Sequence, residues 1–200
     1  DARRALRLFK EKTKTRGIRR EHAFDIKYLD QLQTEKIQYV GKLAVNNSCF
    51  YREYVLGEDS PEIRATSMVI SQALQQPFFT EMRTNQQLGY IVWSYARNRD
   101  ETHYLSFVIQ SGAFTADDVN QRAADFIAST PEFLASMDGE TFNQLKKSAI
   151  EQLEKKPMSI RERANKLKTF IFEHNADFQR DDKTIAALKK LDQTSAVDLL

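Results

Sequence analysis

Apolar residues recur at helical spacing at Ala2, Ala5, Leu6 and Phe9, which predicts an amphipathic helix over residues 1–13. Thr15 to Leu32 is polar and irregular and reads as a connector. Two runs rich in β-branched and aromatic residues, 37–45 and 49–56, predict strands. Between them, Asn46, Asn47 and Ser48 have turn chemistry, because asparagine tolerates left-handed backbone, so the pair reads as a hairpin. Asp59-Ser60-Pro61-Glu62 is a helix start, with a side chain able to cap free amides and a proline suited to the first turn. Ile63, Thr66, Ser67, Ile70, Ala73 and Leu74 then share one face. This helix is predicted to end near Gln76, with Pro77 marking a break or a short second turn and Phe78, Phe79 and Met82 as an apolar continuation.

Residues 90–97 and 104–111 alternate as two further strands around a polar loop at 98–101. Four helical segments follow. The first begins near Thr115 and turns Val119, Ala123, Phe126 and Ile127 inward. The second carries Phe142, Leu145, Ala149 and Leu153 and ends before Pro157. The third starts near Ser159 and is predicted to bury Ile160, Ala164, Leu167 and Ile171. The fourth covers 182–191 with Ile185 and Leu188 inside, and another start stands at Thr194-Ser195. Hairpin, helix, hairpin, then helices describes an α+β fold, an antiparallel sheet covered on one face by helices in two layers.

Composition narrows the function classes. The 200 residues are 41% hydrophobic and 29% charged, with four prolines and six glycines, which suits a helix-rich domain with a real core. No stretch is apolar enough to predict a membrane span or a signal peptide. The chain opens on Asp and stops inside a predicted helix, so it reads as a fragment. The net charge is only +2, but Arg3, Arg4, Arg7, Lys10, Lys12, Lys14, Arg16, Arg19 and Arg20 crowd the first twenty residues. Without interleaved aromatics or a recognisable module, this basic segment does not predict a nucleic-acid partner.

Candidate chemistry is sparse. The histidines, His22, His103 and His174, stand far apart, and none forms a close ligand pair of the kind zinc needs, so no metal site is predicted in this chain. His103 and His174 read as surface or partly buried residues. Cys49, the one cysteine, excludes an internal disulfide and reads as a buried strand residue. Asp117 and Asp118 fit the first turn of a helix, where carboxylates favour the positive end. Asp181 and Asp182 read as loop or cap residues. The segment from Arg83 to Tyr90 differs. It sets a guanidinium and a phenol seven positions apart across a helix-to-strand junction. A guanidinium can grip a peptide carbonyl, and a phenol can donate to an oxyanion. Gly89 would permit a tight turn and the close approach of another chain. Spacing alone favours the plainer reading, in which Arg83 caps a helix C-terminus and Tyr90 is a core strand residue.

The run Pro77-Phe78-Phe79-Thr80-Glu81-Met82-Arg83-Thr84-Asn85-Gln86-Gln87-Leu88-Gly89-Tyr90-Ile91-Val92 closely resembles the P-x-F-x-x-L-R-T-x-x-Q-L-G-Y-x-V signature. That signature belongs to the C-terminal half of the pitrilysin and insulin-degrading enzyme (insulinase) family of zinc metalloendopeptidases. Asn46-Asn47-Ser48-Cys49 upstream and Phe107-Val108-Ile109-Gln110-Ser111 downstream extend the resemblance over residues 37–200. Met82 stands where leucine is usual, a change of similar volume. The resemblance implies residues 1–35 as the end of a preceding domain, helix plus connector. It implies residues 36–200 as the C-terminal pitrilysin-like domain without the zinc motif, its final strand lying beyond Leu200. Zinc would be bound by the N-terminal half of the same enzyme. Arg83 and Tyr90 would be both substrate-binding and catalytic, Arg83 holding a substrate carbonyl and Tyr90 supporting the tetrahedral intermediate. The substrate would be a peptide or small unfolded protein, with no membrane partner. The fragment alone would be inactive, and the compartment periplasmic in a bacterium and cytoplasmic otherwise. A non-catalytic scaffold or assembly subunit of the same superfamily is the alternative, against which the retention of both Arg83 and Tyr90 argues.

Overall fold

A computed structural model of the chain describes residues 2–14, 41, 44–45, 47–99 and 101–200. The chain separates into two units, Asp1–Lys42 and Leu43–Leu200. In the first, the described element is helix α1 (Ala2–Thr13), with Lys10 and Lys12 in its last turn, where cations favour the negative end of the helix.

The second unit begins with strand β1 (Ser48–Glu58), followed by helix α2 (Pro61–Phe79) and a wider π-type segment (Thr80–Asn85). Strands β2 (Ile91–Arg99) and β3 (Thr102–Ser111) come next. Helices α3 (Ala116–Ser136), α4 (Gly139–Glu154), α5 (Ile160–Phe172), α6 (Arg180–Lys190) and α7 (Gln193–Val197) complete it. The sheet is antiparallel in the order β1-β3-β2. The predicted first hairpin falls largely on residues outside those described. Among the described residues β1 pairs with β3, Phe50 opposite Ile109 and Tyr54 opposite Leu105, and Ala44 and Val45 form a bend. The rest of the predicted strand at 37–45 lies outside the described residues apart from Gly41.

Each helix start has a local cause. Ser60 adopts extended backbone and its Oγ accepts from the Ile63 amide at 3.1 Å. Thr115, Asp138 and Ser159 cap α3, α4 and α5 in the same way. Helix α2 is the central beam. It packs on β2 and β3 and also against α4 and α6, so its buried set is wider than one stripe: Ala65, Val69, Ile70, Ala73, Leu74 and Phe78. The helix passes the predicted end near Gln76, and Pro77 marks neither a break nor a separate turn. It runs through to Phe79 and only then widens, the Thr80 amide donating to the Gln76 and Pro77 carbonyls. Proline removes one helical hydrogen bond, but Phe78 and Met82 are both fully buried, and that burial holds the helical path. Phe78 meets Phe107 edge-on at 5.1 Å between ring centres and Phe126 at 5.2 Å, joining α2, β3 and α3.

Two further expectations fail for one reason. Helix α5 has the right period, yet Ile160 is 91% exposed, Leu167 and Ile171 are also exposed, and its buried residue is Phe170. Cys49 lies on the exposed face of β1 rather than in the core. Periodicity marks a face that can be buried, whereas burial requires an element to cover it.

Candidate functional site

The segment joining α2 to β2 is held at both ends by buried apolar side chains, Met82 and Leu88, each 0% exposed. Between them the backbone closes wide turns. The Gln86 amide donates to the Glu81 carbonyl and the Leu88 amide to the Met82 carbonyl, both at 2.9 Å. Gln87 sits between these in the left-handed region (φ 53°), the conformation that ends many helices. Gly89 then lies so close to β3 that any Cβ there would collide with the Gln110 carbonyl. The close approach foreseen at Gly89 is thus to the protein's own strand.

Arg83 and Tyr90 meet at the surface of this folded turn. Arg83 Nη1 donates to the Tyr90 carbonyl at 2.7 Å, and the guanidinium carbon lies 4.7 Å from the Tyr90 ring centre and 5.2 Å from that of Phe79. The carboxylate two residues before Arg83 is occupied elsewhere: Glu81 accepts from Asn85 Nδ2 at 2.7 Å and Gln86 Nε2 at 2.8 Å, which lower its pKa. Among the described residues no carboxylate therefore pairs with Arg83, and Tyr90, 79% exposed, has no hydrogen-bond partner for its hydroxyl. Tyr90 is not a core strand residue. The pair is a cation with donors to spare beside a phenol open to solvent.

An open groove of about 910 Å³ runs beside Arg83, lined by Gln75, Gln76, Phe79, Val92, Trp93, Ser94 and Tyr95. Sequence reasoning had singled out none of these as functional. Trp93 is 61% exposed on β2, and its place beside the Arg83–Tyr90 pair follows from β2 being an edge strand, which pattern alone does not reveal.

Away from the site, two ionic clusters tie the sheet to its surroundings. His103 is buried, not a surface residue. Its Nε2 lies 2.7 Å from Asp59 Oδ1 and its Nδ1 3.4 Å from Ser67 Oγ. Arg180 clamps Asp59 with both terminal nitrogens, at 2.5 and 2.7 Å, and Arg64 Nε stands 3.3 Å away. Burial pushes the Asp59 pKa up, but hydrogen bonds from Arg180 and His103 and the charges of Arg180 and Arg64 bring it down to about 2. Burial and the Arg180 charge also push the half-buried His174 below its ordinary value. On the other face Glu53 accepts from Arg97 Nε at 2.6 Å, Tyr51 at 2.9 Å and Ser106 at 3.0 Å. Asp117 and Asp118 lie in the first turn of α3, and Asp181 and Asp182 in that of α6.

These side chains do not suit a metal. Among the described residues no three His, Cys, Asp or Glu converge to hold an ion, and His103 is already committed to Asp59 and Ser67. Among the described residues, no helix is long and apolar enough to cross a membrane.

Sheet order, helical cover and the R-T-x-x-Q-L-G-Y turn together define the C-terminal part of an insulinase-type M16 peptidase. Within that class the chain belongs to the family described as PQQ synthase PqqF-like, C-terminal lobe domain 4, whose model matches residues 69–168, a span that includes Arg83 and Tyr90. The chain is similar to Protease 3 of Salmonella typhi, 28% identical over 143 residues, or 72% of this chain and 15% of the relative. It is similar to insulin-degrading enzyme of Drosophila melanogaster, 26% identical over 153 residues, or 76% of this chain and 15% of the relative. The crystal structure of pitrilysin superposes with a TM-score of 0.71 at 25% identity, covering 78% of this chain and 17% of that one. The periplasmic protease PqqL from Escherichia coli shares the fold, with a TM-score of 0.60 at 12% identity over 76% of this chain and 17% of that one. The chain thus spans about 15% of the length of these two curated relatives.

Proposed function

We propose that this chain is the substrate-orienting and oxyanion-assisting segment of a zinc metalloendopeptidase that degrades peptides or small unfolded proteins. In this reading residues 1–35 end the preceding domain and residues 36–200 form the C-terminal domain. Zinc belongs to the N-terminal half of the same enzyme, where it supplies Lewis-acid chemistry and an activated water. Arg83 donates its remaining N–H groups to a substrate carbonyl and fixes the scissile bond. Tyr90 donates its hydroxyl to the oxygen of that bond as the carbon becomes tetrahedral. The 200-residue chain alone has no peptidase activity. The compartment is periplasmic if the protein is bacterial and cytoplasmic otherwise.

The observation that carries the proposal is the exposed pairing of an uncompensated guanidinium with an unpartnered phenol on a turn built from buried anchors. The test is Arg83→Ala in the complete polypeptide, assayed with a quenched peptide. The expected result is a fall of about a hundredfold in kcat/KM, an interaction with a charged donor being worth about 1.5–3 kcal/mol. An unchanged kcat/KM contradicts the proposal.

A further inference from the structure

Among the described residues β2 is the last strand of the sheet on its side, and its main chain tells which groups face outward. The Ala96 amide donates to Ser71 Oγ at 3.0 Å, across the edge to α2 rather than to β3. The Tyr90 carbonyl accepts from Arg83. In an antiparallel strand alternate residues aim their main-chain groups the same way. Val92 and Ser94, between those two, therefore turn their N–H and C=O groups to the free edge. No side chain among the described residues fills them, and both residues line the groove beside Phe79 and Trp93.

We propose that this edge accepts an extended peptide segment as a fourth strand, pairing with the main chain of Val92 and Ser94. Only another extended backbone offers donors and acceptors at the strand repeat of roughly 7 Å per two residues. Both ends of the open stretch are closed, by Arg83 on Tyr90 and by Ser71 on Ala96, so it admits about three residues. That length suits a flexible peptide and disfavours edge-to-edge pairing of two copies of β2. Among the described residues Arg83 is the single cation of the lining, too little for a nucleic-acid backbone. Phe79 and Trp93 supply apolar surface, which favours apolar side chains at alternate positions of the peptide. The inference rests on the proposed function only in identifying the occupant as substrate; the edge itself is read from the main chain.

The test uses the 200-residue chain and a nine-residue probe, acetyl-Lys-Val-Thr-Val-Lys-Val-Thr-Val-Lys-amide, together with copies N-methylated at one peptide bond each. Amide exchange followed by NMR should show the Val92 and Ser94 amides slowed about tenfold or more at saturation, a lost or gained main-chain bond being worth about that factor. The Trp93 amide, already within the sheet, should not change. N-methylation should weaken binding at every second position of the probe and leave the positions between unaffected. Absence of binding at millimolar probe, sensitivity without this alternation, or protection that grows with protein concentration in the absence of probe would each overturn the inference, the last assigning the edge to a second copy. Normal turnover in Tyr90→Phe would remove the catalytic reading alone, and failure of the alternation would remove the added strand alone.

Discussion

Arg83 reaches seven residues along the chain to hold the Tyr90 carbonyl at 2.7 Å while its guanidinium lies over the Tyr90 ring. One side chain therefore both shapes the turn and stands ready for a ligand. The two duties separate experimentally. The contacts are exposed, so Arg83→Lys should cost the chain no more than about 1 kcal/mol, the worth of a solvent-exposed cation–π contact and one hydrogen bond. Urea denaturation of the chain measures this. The same substitution should lower peptide hydrolysis by the complete polypeptide, because an ammonium lacks the planar fork. Full activity with lysine would show that charge alone suffices.

Gly89 is required by space rather than by a left-handed backbone. A methyl group there meets the Gln110 carbonyl, so Gly89→Ala must push β2 away from β3. A loss of about 3 kcal/mol or more is expected, at the upper end for overpacking. Gly112→Ala and Gly139→Ala are the controls, because a Cβ at either position meets nothing within 4 Å. Denaturation midpoints of the three variants check this. A Gly89→Ala chain as stable as the controls would contradict the close approach.

Asp59 links α2, β3 and α6 through Arg180, His103 and Arg64. Its pKa, about 2 when folded, is below the ordinary carboxylate value of 3.8. Its stabilisation is therefore complete above about pH 4 and lost as pH falls toward 2, roughly 2 kcal/mol in all. Asp59→Asn should flatten that part of the pH–stability curve. It should also destabilise the chain near neutral pH by about 3 kcal/mol or more, since two arginines lose their counter-charge. Stability followed by circular dichroism from pH 2 to 7 decides. An unchanged acid limb in Asp59→Asn would assign the transition to other groups.

Much of this was legible in the sequence. Ser60-Pro61, Thr115 and Ser159 announced helix starts because caps act through their immediate neighbours. The motif around Arg83 and Tyr90 marked the candidate site. Other features needed the third dimension. Pro77 failed to end α2 because Phe78 and Met82 are buried on its far side. The partner of β1 among the described residues, β3, is 44 to 63 residues away in sequence, and turn chemistry at Asn46-Asn47 says nothing about it. His103 looked ordinary because Asp59 lies 44 residues from it and Arg180 is far along the chain. Trp93 and Ser94 gained meaning only once β2 proved to be an edge strand. Ile160 and Ile171 kept their helical period with no covering element among the described residues.

Phe78 and Phe107 form the hinge between helix layer and sheet, both 0% exposed. Phe107→Ala should cost about 3–5 kcal/mol, the usual range for a buried phenylalanine. Phe172→Ala, at a position 77% exposed, should be close to neutral. Parallel thermal denaturation of the two variants tests whether the core is where these contacts put it.

Tyr90 has no hydrogen-bond partner for its hydroxyl among the described residues, so Tyr90→Phe removes one oxygen and leaves the Arg83 contact with the carbonyl and ring intact. The decisive measurement is kcat for peptide cleavage by the complete polypeptide carrying Tyr90→Phe. A fall of about 10²–10³, with KM little changed, is expected for loss of one oxyanion donor. A kcat equal to that of the unsubstituted enzyme would show that the phenol takes no part in the reaction.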